Sequence, residues 1–460
     1  MFSSVKYIKH FFLWGIGCLS LASCVSERPQ GSDGINEGDR AQMSIRIQTL
    51  NNRVAQAEIA EKISTFRVIL IGEEGVEINR LISYEEGNTM PAEDFLYDFT
   101  WFTTPGDKTF YLIANEESIG ELSFKQDASL PANLPDDLSE WLDSFVPLEN
   151  SDGAEPDDGD DGDDGPDPSD LSAVLNAVYF TPDYSVDGGS IYLPYSSVYN
   201  ITVEPKEYKE LDMCVVPVAT KFTFNFINKR THPVEVSGIS IDLVNSANYL
   251  LATVSGDDLN KSIDGVEYYW VDWLARISEM SHSQSEFSQN VPFNGRYGWI
   301  TLYTVPNESD LHTKNFITEE TKFTIPEAEV EQGDDDNGDG TGDGTETGEI
   351  IITPKVYSLA SQYVAESRNL FDSDVQAENN PQIYTLTLKF KDTVTGTSVV
   401  FEDQPIENLQ ALFRNTNVII NVTFDQGNIE VYAEIANWND KFINGWVSEG
   451  QKPGGTVPFQ

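Results

Sequence analysis

Cys24 is the residue whose surroundings most narrowly specify a chemistry. It closes the run Leu21–Ala22–Ser23–Cys24, at the end of an apolar stretch preceded by the basic residues Lys6, Lys9 and His10. That stretch is too short to span a bilayer as a mature helix, so residues 1–24 read as an export signal. Small residues ahead of the cysteine admit a processing enzyme to the backbone, and the thiol is then expected to carry a diacylglyceryl group, with palmitate among its acyl chains. Each buried methylene contributes about 0.8 kcal/mol, so two or three chains anchor stably. Residues 25–40, rich in Ser, Gly, Asp and Glu, read as a flexible tether. Cys18 lies inside the apolar run and leaves with it. Cys214 is then alone, which removes any internal disulfide and marks it, beside Val215 and Val216, as a small buried core residue.

Other chemistry is sparse. Asp335-x-Asn337-x-Asp339–Gly340 followed by Glu346 has the spacing of a calcium loop, in which alternate residues turn side-chain oxygens inward. No amphipathic helix flanks it, Gly342 stands where an apolar residue belongs, and Asp/Gly repeats generate such matches by chance. Weak cation association is the reading that remains, with no cofactor expected. His232, His282 and His312 show no metal-ligand spacing. No nucleophile elbow, phosphate-binding glycine loop or dinucleotide fingerprint occurs. Carboxylates are too abundant for any acid/base pair to stand out, so catalysis is not expected. A formal net charge of −48 excludes nucleic acid as a partner and opposes docking on anionic lipid.

The elements that would position any site are strands. Met43–Ser44–Ile45–Arg46–Ile47–Gln48 alternates apolar and polar, and Phe66, Val68 and Leu70 mark a second strand. Phe222/Phe224/Phe226, Tyr384 to Phe390, Val418 to Phe424 and Ile429 to Ile435 repeat the pattern. Turn chemistry at Gly72–Gly75, Pro105–Gly106–Asp107, Asp187–Gly188–Gly189 and Asp425–Gln426–Gly427–Asn428 separates them. The spacing predicts one short helix over Asp136–Phe145. Two acidic Asp/Gly runs, 150–170 and 327–349, cannot bury apolar surface and read as long solvated loops.

In order along the chain, several segments resemble the FimA-type fimbrillins, subunits of the Bacteroidales type V pilus. They are Met43–Leu50, Asn51–Asn52–Arg53, Phe66–Ile71 and the run Gly106–Asp107–Lys108 to Ala114–Asn115. Further on come Val215 to Lys221, Tyr303–Thr304–Val305–Pro306–Asn307–Glu308, and Phe413–Arg414–Asn415–Thr416–Asn417 leading to Ile429–Trp438. The resemblance implies a mainly β chain of two antiparallel β-sandwich (transthyretin-like) domains, 41–210 and 211–448, each holding one acidic loop, then a Pro/Gly-rich tail, 449–460.

It also implies a mechanism. A surface Arg-specific protease would cut between Arg53 and Val54, releasing a first strand that carries Met43, Ile45 and Ile47. Arg46 and Arg67 sit within alternating runs and are less suited. A donor strand from the next subunit would fill the groove, with Trp438, Ile443, Trp446 and Val447 as plugs. The prolines of the 449–460 tail cannot serve a sheet interior, which sets this chain apart from the family's ending. The expected partners are other fimbrial subunits (copies of itself and accessory subunits), the outer membrane through the lipid, and host or bacterial receptors in adhesion and virulence. The expected location is the outer membrane as precursor and the fimbrium afterwards. A tip or anchor subunit remains an alternative. So does a monomeric glycan-binding lipoprotein using Tyr268–Tyr269–Trp270 or Trp273. Incorporation of labelled palmitate by producing cells should be lost on Cys24→Ser; labelling that survives would refute lipidation there.

Overall fold

Alternation in the sequence becomes alternation of burial in space. In β1 (Ala41–Thr49) every odd-numbered residue is buried and every even-numbered one is not. The computed structural model describes residues 40–49, 61–84, 90–91, 96–124, 130–131, 134–147, 168–181, 192–251, 260–263, 266–269, 312–332, 350–368, 384–406, 411–412, 414–426, 428–437 and 457–458.

The first core lies inside one folded-over sheet. Its strands are β1, β2 (Thr65–Gly72), β3 (Gly75–Ser83), β4 (Leu96–Thr103), β5 (Gly106–Ala114), β6 (Tyr195–Val203) and β7 (Tyr208–Pro217), in the order β3-β2-β5-β6-β7-β1-β4. β7 turns the corner: its residues up to Val215 pair with β1, and Val216 and Pro217 pair with β6. The layers meet through aromatic contacts, Phe66 on Tyr97 with ring centres 5.8 Å apart and Trp101 edge-on to Phe110 at 5.8 Å. Gly106 turns β4 into β5 with φ at +113°, where a side chain would also crowd Glu73.

The second core lies between two sheets. One contains β8 (Thr220–Asn228), β13 (Thr416–Phe424) and β14 (Ile429–Asn437); the other contains β9 (Val234–Val244), β10 (His312–Ile317), β11 (Thr385–Asp392) and β12 (Ser398–Pro405). Phe224 against Phe316 at 4.8 Å and Phe390 against Phe424 at 5.2 Å join the layers. The short strand Val457–Pro458 pairs with Glu430 and Val431 on the outer side of β14. Proline is tolerated there because an edge strand need not donate from both sides.

Three features depart from the expectation. The pairings are not all antiparallel, since β1 runs parallel to β7 and β8 runs parallel to β13. A second helix, α2 (Pro168–Ala177), follows α1 (Leu138–Asp143), and it starts inside the acidic stretch. Leu171, Val174 and Leu175 are buried, at the spacing of one helical face, so packing ends the acidic loop earlier than charge alone suggests. Cys214 is half-buried rather than fully buried. The chain leaves the first sheet after Pro217, the end of β7, and enters β8 at Thr220.

Several residues of the resembling motifs turn out to be buried polar anchors. Asn115, in the left-handed region at φ 55°, accepts from the Ser64 amide at 2.8 Å and donates to the Lys62 and Leu193 carbonyls at 2.8 and 2.7 Å. Lys221 on β8 donates to Glu61 at 2.6 Å, and Tyr363 hydrogen-bonds the same carboxylate at 3.0 Å. Arg414, fully buried, meets Glu366 at 3.0 and 2.6 Å and donates to the Leu250 and Tyr249 carbonyls at 3.0 and 2.8 Å. It also reaches the Ser196 hydroxyl on β6 at 3.1 Å, which ties the start of β13 to the first sheet. A buried charge that loses its partner costs about 3–5 kcal/mol. Arg414→Met should therefore lower the unfolding free energy by about that much in a denaturant titration. Adding Glu366→Gln should recover part of the loss, and simple additivity of the two would refute the coupling.

Candidate strand-exchange groove

β1 is paired on both sides. Gln42 to Thr49 run parallel to Tyr208 to Val215 of β7, and Ala41 to Gln48 run antiparallel to Thr103 to Leu96 of β4. Among the described residues β4 has no other strand neighbour, and Tyr208 to Val215 pair with no other strand. Among the described residues β4 is therefore joined to the sheet through β1 alone, whereas β7 is also held by β6 at Val216 and Pro217.

The inner face of β1 is apolar. Met43, Ile45 and Ile47, the residues expected on a displaced strand, have no solvent exposure, and Ala41 and Thr49 flank them in the same row. At about 1.5–3 kcal/mol for each large side chain, these three alone contribute roughly 5–9 kcal/mol. Whole domains are stable by about 5–15 kcal/mol. β1 therefore does not leave spontaneously. The outer face is polar: Thr100 Oγ1 donates to Ser44 Oγ at 3.1 Å, and Arg46 lies 3.9 Å from Asp98 on β4 and 3.7 Å from Asp212 on β7.

Beneath β4, Tyr97, Phe99 and Trp101 form a row that packs on the opposite layer, Phe99 stacking on Trp101 at 4.7 Å. Thr103 and Thr104 donate to Glu77 of β3, which Lys108 also contacts. These side chains hold β4 against β3 and β5 without backbone pairing. A cavity of about 330 Å³, lined by Val68, Ile78, Asn79, Tyr97, Phe99 and Trp101 among others, lies in the seam between β3 and β4.

Covalently, β1 joins the rest of the described fold through residues 50–60, in which Arg53 is the one basic residue. Immediately after them Glu61 is buried and fixed by Lys221 and Tyr363. A single break in that stretch would leave β1 attached to the residues before it and Glu61 attached to the body. Arg67 could not serve as the cut site. It is buried in β2, with Glu116 at 2.8 and 2.7 Å, Asp143 at 2.7 Å and Asn79 at 2.9 Å. Burial alone would lower its pKa, but hydrogen bonding to Glu116 and Asp143 and their charges outweigh this and raise it.

Cys24, Arg53, Val54, Trp438, Ile443, Trp446 and Val447 lie outside the described residues, as do Asp335, Asn337, Asp339, Glu346, Trp270 and Trp273. Tyr268 and Tyr269 fall in a strand, Val266–Tyr269, paired with Asn260–Ile263. Among the described residues no group of three or more His, Cys, Asp or Glu side chains is placed to hold a metal ion. The Asp98–Arg46–Asp212 row and the anchored Glu61 are features that sequence reading missed, because both depend on strands far apart in the chain.

No family model matches the chain, and no curated protein matches it. Among solved structures it is similar to the C-terminally truncated tip fimbrial protein Mfa3 from Porphyromonas gingivalis. The identity is 12%, covering 87% of this chain and 100% of that one, with a TM-score of 0.39. It is also similar to a fimbrial assembly protein from Parabacteroides distasonis, at 9% identity over 86% of this chain and 96% of that one, with a TM-score of 0.34. Similarity at this level assigns no role to any residue here.

The burial of β1 makes a direct prediction. Ile45→Ala should lower the stability of the full-length chain by about 2–5 kcal/mol, the cost of truncating a well-packed core side chain. Denaturant unfolding measures it, and a loss below about 0.5 kcal/mol would mean that β1 is not a core strand.

Proposed function

We propose that this chain is a structural subunit of a cell-surface fimbria, exported as a lipoprotein and assembled by strand exchange. The observation that carries the reading is that, among the described residues, the first strand is the sole strand partner of β4 and of Tyr208 to Val215 in β7, and is joined to the fold through one stretch, residues 50–60. Cleavage after Arg53 would turn β1 from a covalent part of the sheet into a bound peptide. Once it departs, β4 and β7 each present an unpaired edge, with three large apolar vacancies between them. A strand from another subunit satisfies both edges at once and restores the burial that β1 supplied.

In this scheme the lipid at Cys24 delivers the precursor to the outer membrane and leaves with β1. The donor is assigned to the stretch after β14, from Trp438 to Val447. The Val457–Pro458 strand on β14 fits a tail that rests on the outer edge of its own subunit. The fold comprises two sandwich units, one around each core, joined through Glu61–Lys221 and Arg414–Ser196. Partners are other fimbrial subunits and an arginine-specific surface protease, and the assembled filament supports adhesion.

The mature N-terminus decides between a processed subunit and a permanently anchored protein. Mass spectrometry of protein sheared from the cell surface should find a chain beginning at Val54. A lipid-bearing Cys24 on the assembled protein would sink the reading.

A further inference from the structure

The apolar row of β1 sets only half of a register. A strand displaced by one residue puts its polar side chains into the core, so odd shifts are rejected strongly. A shift of two residues keeps the apolar face inward and is not rejected by alternation. Something on the outer face must choose among the even registers.

That face is strongly one-signed. Opposite the outward positions of β1 stand Tyr208, Glu210, Asp212 and Cys214 on β7, and Phe102, Thr100, Asp98 and Leu96 on β4. Three of these eight are acidic and none is basic. Arg46 is the single cation in the row, and it lies directly between Asp98 and Asp212, within 4 Å of each. Moved two residues one way, a cation would face Glu210 and Thr100, with one carboxylate. Moved two the other way it would face Cys214 and Leu96, with none. Only the register of Arg46 offers two.

We propose that Asp98 and Asp212 select the strand this groove accepts, and its register, by requiring a basic residue at the outward position now held by Arg46. The inference rests on the strand-exchange reading above. The partner it describes is an extended segment with apolar residues at alternate positions and a Lys or Arg near its middle, facing outward. When β1 leaves, the two aspartates lose their shared cation. A donor with a neutral residue there restores the apolar contacts but not the charge balance. One with an acidic residue places three carboxylates side by side, and like charges across paired strands are destabilising.

The test uses the full-length chain, cut once between Thr49 and Glu61 by a site-specific protease so that β1 remains as a bound peptide. Labelled synthetic peptides of the sequence Ala41–Thr49, one unaltered and one carrying Arg46→Glu, are offered in excess, and their uptake in place of β1 is measured. The unaltered peptide should be preferred by about tenfold, the order set by gaining rather than opposing two half-exposed ion pairs. The preference should shrink as salt is raised, since such pairs are screened. It should disappear in a chain carrying Asp98→Asn and Asp212→Asn, two exposed changes that leave the core intact. Equal uptake of both peptides by the unaltered chain overturns the selection by charge while leaving strand exchange standing. Uptake of neither, with β1 still bound, overturns the strand-exchange reading and this inference with it.

Discussion

The strand pairing of β4 and of most of β7 depends on β1 being paired on both sides. Remove it and β4 keeps only side-chain contacts, while most of β7 has no strand beside it. An edge that exposes its amides and carbonyls, next to a trough lined with hydrocarbon, is unstable alone and avid for a strand. In the proposed strand exchange the early position of β1 in the chain is the enabling feature. A central strand contributed from the middle of the chain could not be released by one cut, whereas one contributed from the end can.

The rest of the fold is braced by contacts that do not involve β1. The ion pairs Glu61–Lys221 and Arg414–Glu366 are buried and hydrogen-bonded on several sides. Such pairs add little net stability over a hydrophobic substitute, but breaking one is costly, so they fix geometry. Arg67, Glu116, Asp143 and Asn79 do the same for α1, since Asn79 also donates to the Leu142 and Phe145 carbonyls at 2.6 and 2.9 Å. The aromatic row on β4 and the Glu77 contacts to Thr103 and Thr104 provide the corresponding hold on the groove's outer wall. Both walls of the groove thus have contacts to the braced body besides those they make with β1.

The strands themselves were legible because their periodicity is local. Met43, Ile45 and Ile47 announce a half-buried strand without reference to any other part of the chain, and the helix expected over Asp136–Phe145 forms as Leu138–Asp143, where Asp137 caps it by accepting from the Glu140 amide at 2.8 Å. Which strands neighbour β1 was not legible, because register between distant segments leaves no local mark. The parallel pairing with β7 and the alignment of Arg46 with Asp98 and Asp212 belong to that class. Asn115, Lys221 and Arg414 stand between. Their positions in recognisable segments could be read, but nothing local marks them as buried, and only the fold reveals it.

Whether β1 must leave for subunits to join can be tested by preventing it from leaving. Ser44 and Thr100 face each other across β1 and β4, with their hydroxyls 3.1 Å apart. Cysteines at both positions should form a disulfide with little movement, since directly opposed residues approach the separation that a disulfide spans. With that bond closed, cells producing the doubly substituted chain should assemble no filaments visible by electron microscopy, and reduction should restore assembly. Filaments of normal length formed while the disulfide is intact would contradict strand exchange at this groove.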